Sequence, residues 1–182
     1  MLSINYPDIN EALKPKEWYK VPKVKFYGSY ARKAGMYDGI YDVIVDSNFE
    51  IPKMDINIAG NEKKTRNEKD QYLIGKFSKL KFHNHYSSYF GGDQGLIEYT
   101  FDNSSTGNLL VISDSYDNCI EPFLACHFSH SYFVDLRLYY HDVGKDFNID
   151  DFIKEHFITD VLFLGNQNWV LGISILEPYK FD

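Results

Sequence analysis

Ser115 sits in the string Ser113-Asp-Ser-Tyr-Asp117, directly after the apolar run Leu109-Leu-Val-Ile112 and before a segment with helical spacing. A serine held between a strand end and a helix start is exposed. If it attacks an ester, the resulting oxyanion can be held by backbone N–H groups of residues 115–117 and by the positive end of the helix. The same string has a purely structural reading, in which Ser115 or Asp117 caps the helix. Local features leave both open. A hydroxyl is a weak nucleophile and needs an adjacent base, itself oriented by an acid. The residues three before the six histidines are Leu80, Phe82, Leu124, His127, Leu138 and Ile153, so no Asp-x-x-His occurs, and no Asp-x-His either. His83 and His85 alternate and would share one face of a strand, which makes them the candidate stand-in bases. Two imidazoles do not complete a metal site, and no metal or other cofactor is expected. His127 and His130 fall near a helix end, where a cation is favourable.

The elements that must position Ser115 are legible in the C-terminal half. Leu109–Ile112 is short and continuously apolar, as a strand buried on both faces is. Residues 117–128 place Ile120, Phe123, Leu124 and Phe128 near helical spacing, and Pro122 fits only in the first turn. Tyr132-Phe-Val134 is a second buried run. Asn148 can cap a helix whose apolar face is Ile149, Phe152, Ile153 and Phe157, and Val161–Leu164 is a third buried run. Strand–helix–strand–helix–strand order implies parallel pairing with right-handed crossovers. In such sheets ligands gather at the carboxyl ends of the strands. Ser113–Asp117, Asp135–Arg137 and Gly165–Asn168 should therefore converge. Upstream, Val24–Tyr30, Tyr41–Asp46, Met54–Ile58, Tyr72–Phe82 and Gly95–Phe101 read as strands, with an Asp38-Gly39 turn signal. The polar stretch Gly60–Gln71 reads as a solvated loop. The expectation is a single α/β domain over 1–182, with a flavodoxin-like parallel sheet in the C-terminal half and extra strands before it.

Composition narrows the partners. The chain has 182 residues, enough for one core, and 44% of them are hydrophobic. A net charge of -7 argues against nucleic acid and against anionic membrane surfaces. No run approaches the ~20 apolar residues of a membrane span. Met1–Pro7 lacks the basic and apolar regions of a signal peptide, so the expectation is a cytoplasmic protein or a piece of a longer one. Cys119 and Cys126 would be ~10 Å apart along one helix, too far for a disulfide, so both are expected to be free, buried thiols. The 15 tyrosines are expected mostly in core and sheet, although Tyr-rich surfaces can stack on sugars.

The strings Leu109-Leu-Val-Ile-Ser-Asp-Ser-Tyr-Asp-Asn118, Pro122-Phe-Leu124, His127-Phe128 and Val134-Asp-Leu-Arg137 together resemble the DHHW-type branch of the SGNH (GDSL-like) hydrolase superfamily, similar to the bacterial alginate O-acetylation proteins. The match is best over 85–165, with weaker similarity at Gly28–Arg32 and Tyr86–Gly92. The resemblance implies that Ser115 is the nucleophile and that the fold is SGNH-like. It implies that Tyr116, Asn118 and Arg137 support the oxyanion or substrate, with Asn168 as a further oxyanion donor in the Gly165–Asn168 block. For Asn118 and Arg137 the structural alternatives are helix capping and an ion pair with Asp135. The branch takes its base and acid from an Asp-His-His-Trp motif ahead of the serine, which this sequence lacks. The resemblance therefore leads us to expect a C-terminal portion, or a relative that has lost catalysis. A full-length parent would be extracytoplasmic. Two functions follow: an esterase or O-acyltransferase on acetylated carbohydrate or a small acyl ester, or a non-catalytic glycan- or protein-binding module. A flavodoxin-like nucleotide receiver is a third reading, weakened by the lack of a Gly-rich phosphate loop. Oligomeric state is not legible.

Overall fold

A computed structural model describes residues 14–21, 25–35, 39, 41–59, 83–102 and 107–166. The chain divides into two compact units. One holds the described residues up to 50 and 83–92; the other holds 51–59 and those from 93 onward.

In the first unit, strand β1 (Glu17–Lys20) pairs antiparallel with β2 (Val45–Asn48). Helices α1 (Ser29–Ala34) and α2 (His85–Phe90) are its other described elements. The strand expected over 24–30 is thus replaced from Ser29 onward by α1, leaving Phe26 in an isolated bridge to Asp42. Gly35 closes α1 at φ 65°, where a residue without Cβ is favoured. The strand expected over 41–46 lies later, at 45–48. His83 and His85 are not on a strand either. Asn84 caps α2, its side chain accepting the Ser87 N–H at 3.3 Å, and His85 is the first helical residue. The expected strand 72–82 lies outside the described residues.

The second unit is a five-stranded sheet: β3 (Met54–Ile58), β4 (Leu96–Phe101), β5 (Asn108–Ser113), β6 (His130–Asp135) and β7 (Asp160–Leu164). The strand order is β3-β4-β6-β5-β7. β5 pairs parallel with both β6 and β7, while β3 and β4 add an antiparallel flank. The first of the connecting helices, α3 (Glu121–Ala125), leads from β5 to β6. The other two, α4 (Tyr139–Val143) and α5 (Ile149–Glu155), lead from β6 to β7. β5 therefore lies between the other two parallel strands, with the chain leaving β6 and returning to β5's far side. That is the switch-point arrangement at which open α/β sheets form a crevice.

Side chains alternate across the sheet. Leu110, Ile112, Tyr132 and Val134 pack with Tyr139 and Phe152 on one face. On the other, Tyr99 and Phe133 meet edge-to-face at 5.6 Å, and the Ser131 hydroxyl donates to the Ala125 carbonyl at 3.3 Å. Leu109 to Ile112 are all buried, at about 1.5–3 kcal/mol for each side chain of this size. That burial anchors the loop that follows.

α5 is capped as expected, Asn148 Oδ1 accepting the Asp151 N–H at 3.0 Å. It stops sooner than expected: Phe157 has φ 52° and is 80% exposed, so it does not join the apolar face. β7 is not buried on both faces, because Val161 and Phe163 are exposed. It has a described neighbour on one side only, β5. Gly95 is required where β6 turns into α4. A Cβ there would lie 2.8 Å from the Leu138 carbonyl and from Tyr139 Cα. Its N–H donates to Asp142 at 2.7 Å. Burial works against the Asp142 charge, but bonding to His141 and to this N–H outweighs it and holds the carboxyl below its ordinary value.

Candidate functional site

β5 ends at Ser113, and the next seven residues form a tight loop instead of entering a helix at once. The helix expected over 117–128 is only α3, with Pro122 in its first turn as required. Its N-cap is Ile120, without a side-chain cap bond. Ser115 therefore does not cap α3. Asp117 contributes by its backbone, its carbonyl accepting the N–H of Ile120 at 2.7 Å and of Glu121 at 3.0 Å.

Buried polar contacts hold this loop. Asp114, 2% exposed, forms an Asx turn by accepting the Tyr116 N–H at 3.1 Å. Its other oxygen accepts both the backbone N–H of Asn166, at 3.3 Å, and the Asn166 side-chain amide. This pairing ties the segment after β7 to the segment after β5. Ser113 donates its hydroxyl to Asp117. Asn118 is buried and donates to Asp93 Oδ1 at 2.9 Å. Tyr99 donates to the buried Glu121 at 2.8 Å. With its backbone so restrained, Ser115 is half-buried and Tyr116 stands 57% exposed beside it.

A cleft opens here, at the carboxyl end of the sheet, with Ser115, Ser113 and Asn118 in its lining. Asp93, Asp114, Asp117, Glu121 and Asp135 also line it, over the apolar side chains of Ile97 and Phe133. Arg137 grips Asp135, Nε lying 2.9 Å and 3.1 Å from the two carboxylate oxygens, and its Nη2 reaches Asp93 at 3.5 Å. The Asp135 bonds push the guanidinium further above its already high value. The ion-pair reading of Arg137 is therefore present, and it brings the cation to the acidic rim. Asn118 binds Asp93 and does not cap a helix. The described lining contains no imidazole.

Asn168 lies outside the described residues. Asn166, two residues earlier in the same block, makes the contact with Asp114. Sequence reasoning selected the block but not this residue, and it passed over Asp93, Tyr99 and Glu121, whose side chains meet the loop only through the tertiary fold. His83 and His85 belong to the other unit. There the His83 Nε2 and Ser88 Oγ share a hydrogen bond, and the His83 pKa is lowered by burial, then by His85 and Arg32. His127 was expected as a cation at a helix end. It is instead 7% exposed, its Nδ1 finds no hydrogen-bond partner, and burial lowers its pKa. His130 opens β6 beside Glu98 and Thr100. Both cysteines are free; Cys126 is buried, but Cys119 is exposed because the loop precedes α3. No group of three metal-binding side chains occurs among the described residues, and no described helix is long and apolar enough to cross a membrane.

No protein-family model and no curated protein matches this sequence. Solved structures do. A DHHW family protein from Eubacterium siraeum aligns at TM-score 0.55 with 22% identity, covering 86% of this chain and 49% of its own. Bacillus cereus PatB1 aligns at TM-score 0.62 with 15% identity, over 92% of this chain and 55% of its own. PatB1 with a sulfonyl adduct gives 0.59 and 18%, over 87% and 52%. The fold is SGNH-like α/β. This chain spans about half the length of each of these structures. At these identities the likeness is one of fold alone.

Proposed function

We propose that this chain carries the nucleophile-bearing part of an SGNH-type serine esterase or O-acyltransferase acting on acetylated carbohydrate. The observation that carries the reading is Ser115 itself. It lies on a restrained loop at the carboxyl end of the middle strand of the parallel set, and it does not cap the helix that follows. In this reading Ser115 Oγ attacks the acetyl carbonyl and its proton passes to a base. The oxyanion collapses, the sugar alcohol leaves, and the acyl-enzyme hands its acetyl group to water or to another sugar hydroxyl. The Tyr116 and Asp117 N–H groups donate to Asp114 within the loop, so the Ser115 N–H, with Asn168, would hold the oxyanion. Asn118 and Arg137 would orient the substrate, and the exposed Tyr116 offers a ring face to a sugar. A sulfonyl adduct marks a nucleophilic side chain, and PatB1 has been solved with one. The base is the open element, since the described lining of the cleft holds no imidazole.

The alternative is a binding module for glycan or protein that keeps the fold without the chemistry. It is favoured by the described lining of the cleft, which has five carboxylates and no imidazole. The two readings separate on p-nitrophenyl acetate hydrolysis by this chain beside Ser115→Ala, together with mass spectrometry after phenylmethylsulfonyl fluoride. Hydrolysis lost in the variant, with one sulfonyl group on Ser115, is the expected result. Equal rates and an unlabelled Ser115 would remove the hydrolase reading for this chain and leave the binding module.

A further inference from the structure

We propose that the indole ring of Trp18, on the outer face of the β1–β2 ribbon, is a stacking platform for a pyranose ring of an uncharged glycan. The inference concerns this ribbon alone and is independent of the chemistry proposed for Ser115. β1 and β2 pair so that Trp18 lies opposite Ser47 and Lys20 opposite Val45. Side chains alternate across a ribbon, so these four share one face. Tyr19 and Asp46, which alternate with them, take the other face. There the Tyr19 hydroxyl donates to Asp46 at 2.9 Å, and Tyr19 packs against the buried Val21 and Tyr89. The inward face of the ribbon therefore has its own aromatic residue, and Trp18 points outward at 65% exposure. Phe49 meets the indole at 6.4 Å between centroids and 81° between planes. One such edge-to-face contact steadies the ring and covers at most one of its two sides.

The faces of an aromatic ring are electron-rich and attract polarised hydrogens. A pyranose presents C–H groups of that kind on one side and hydroxyls around its edge. The ribbon supplies partners for the hydroxyls beside the ring. The indole N–H and Lys20 donate, Glu17 accepts and Asn48 does both, and all four residues are exposed. The exposed Lys16 and Glu50 form an ion pair next to them. The charges of Lys16, Glu17, Lys20 and Glu50 balance, so this surface does not select a phosphate or a uronate. Size decides between a sugar and a protein. A stable protein partner covers about 800 Å² on each side. The exposed large hydrophobic side chains described on this face are Trp18 and Val45, and one aromatic side chain presents about 150–250 Å². That matches one or two sugar rings and falls far short of a protein interface.

The test follows the indole N–H signals of the chain's two tryptophans by NMR during titration with cellohexaose and, separately, with N-acetylchitohexaose. Trp18→Phe assigns the Trp18 signal. The expected result is a saturable shift of that signal with at least one sugar, at millimolar affinity or tighter. Trp18→Ala should weaken binding about tenfold or more in calorimetry, the worth of one stacked ring, and Trp18→Tyr should recover most of the loss. Tyr116→Ala should leave the Trp18 shift intact. Circular dichroism checks that the variants fold, and the titration of the unaltered chain stands without them. A Trp18 signal unmoved by both sugars overturns the proposal, as does binding undiminished in a folded Trp18→Ala. Self-association in sedimentation that disappears in Trp18→Ala, with no response to sugar, also overturns it and gives the face to a second copy of the chain.

Discussion

Replacing Asp114 by Asn tests whether the loop carrying Ser115 is held by charge as well as by shape. Asp114 accepts the Tyr116 N–H on one oxygen and two N–H groups of Asn166 on the other, at 2% exposure. An amide of the same shape has one acceptor. Keeping that oxygen on Asn166, where two donors converge, turns the new NH2 toward the Tyr116 N–H and sets donor against donor. One hydrogen bond to a charged acceptor is then lost, at about 1.5–3 kcal/mol, and two become neutral, each weakened by about 1 kcal/mol. The sum is about 3–5 kcal/mol. Relief of repulsion from the other carboxylates of the cleft acts the other way and brings the expected loss nearer 3 kcal/mol. With a urea dependence of about 2 kcal/mol per molar, the unfolding midpoint should fall by about 1.5 M. Hydrogen exchange adds a local readout, since the Tyr116 and Asn166 amides should lose protection before the strand amides of β5 do. A midpoint that stays put or rises would refute the reasoning. It would mean that crowding among the carboxylates outweighs the hydrogen bonds that Asp114 accepts.

Two further perturbations address the frame around the site. Gly95→Ala places a Cβ 2.8 Å from backbone atoms of Leu138 and Tyr139, which backbone cannot yield cheaply; a loss of about 1–3 kcal/mol is expected, and an unchanged thermal midpoint would show that the α4 turn is not as closely seated as described. His127 is buried and its pKa is lowered, so the unfolded chain takes up a proton that the folded chain refuses. Its contribution to stability is therefore complete above the ordinary value of about 6.5 and declines as pH falls below it, by at most about 1.4 kcal/mol per pH unit. His127→Phe should flatten that part of the slope in urea titrations between neutral and mildly acid pH, and identical slopes in the two proteins would count against a neutral, buried His127.

The sequence by itself determined the parallel core and the place of the serine within it. Four apolar residues in a row at 109–112 admit burial on both faces, and Asn148 ahead of a 3.6-residue pattern specifies a helix start; these are local or short-range signals with which the tertiary packing agrees. The same signals misled where packing decides. Val161 and Phe163 read as core, yet β7 has β5 as its one described neighbour and leaves them exposed. The alternation of His83 and His85 reads as a strand, yet the Asn84 cap and the glycines that follow the segment make it helical. The 117–128 pattern is helical in spacing, but Asp114 and Asp117 draw the chain into a polar loop first, so α3 starts only at Glu121. Most of all, the lining of the cleft could not be read in advance. Asp93, Ile97 and Glu121 line it from three separate stretches, Asn166 holds Asp114 from a fourth, and no periodicity links a side chain on β4 to one on α3. Strand order alone places them beside Ser115, because pairing β4 with β6 and β7 with β5 brings their ends to one edge of the sheet.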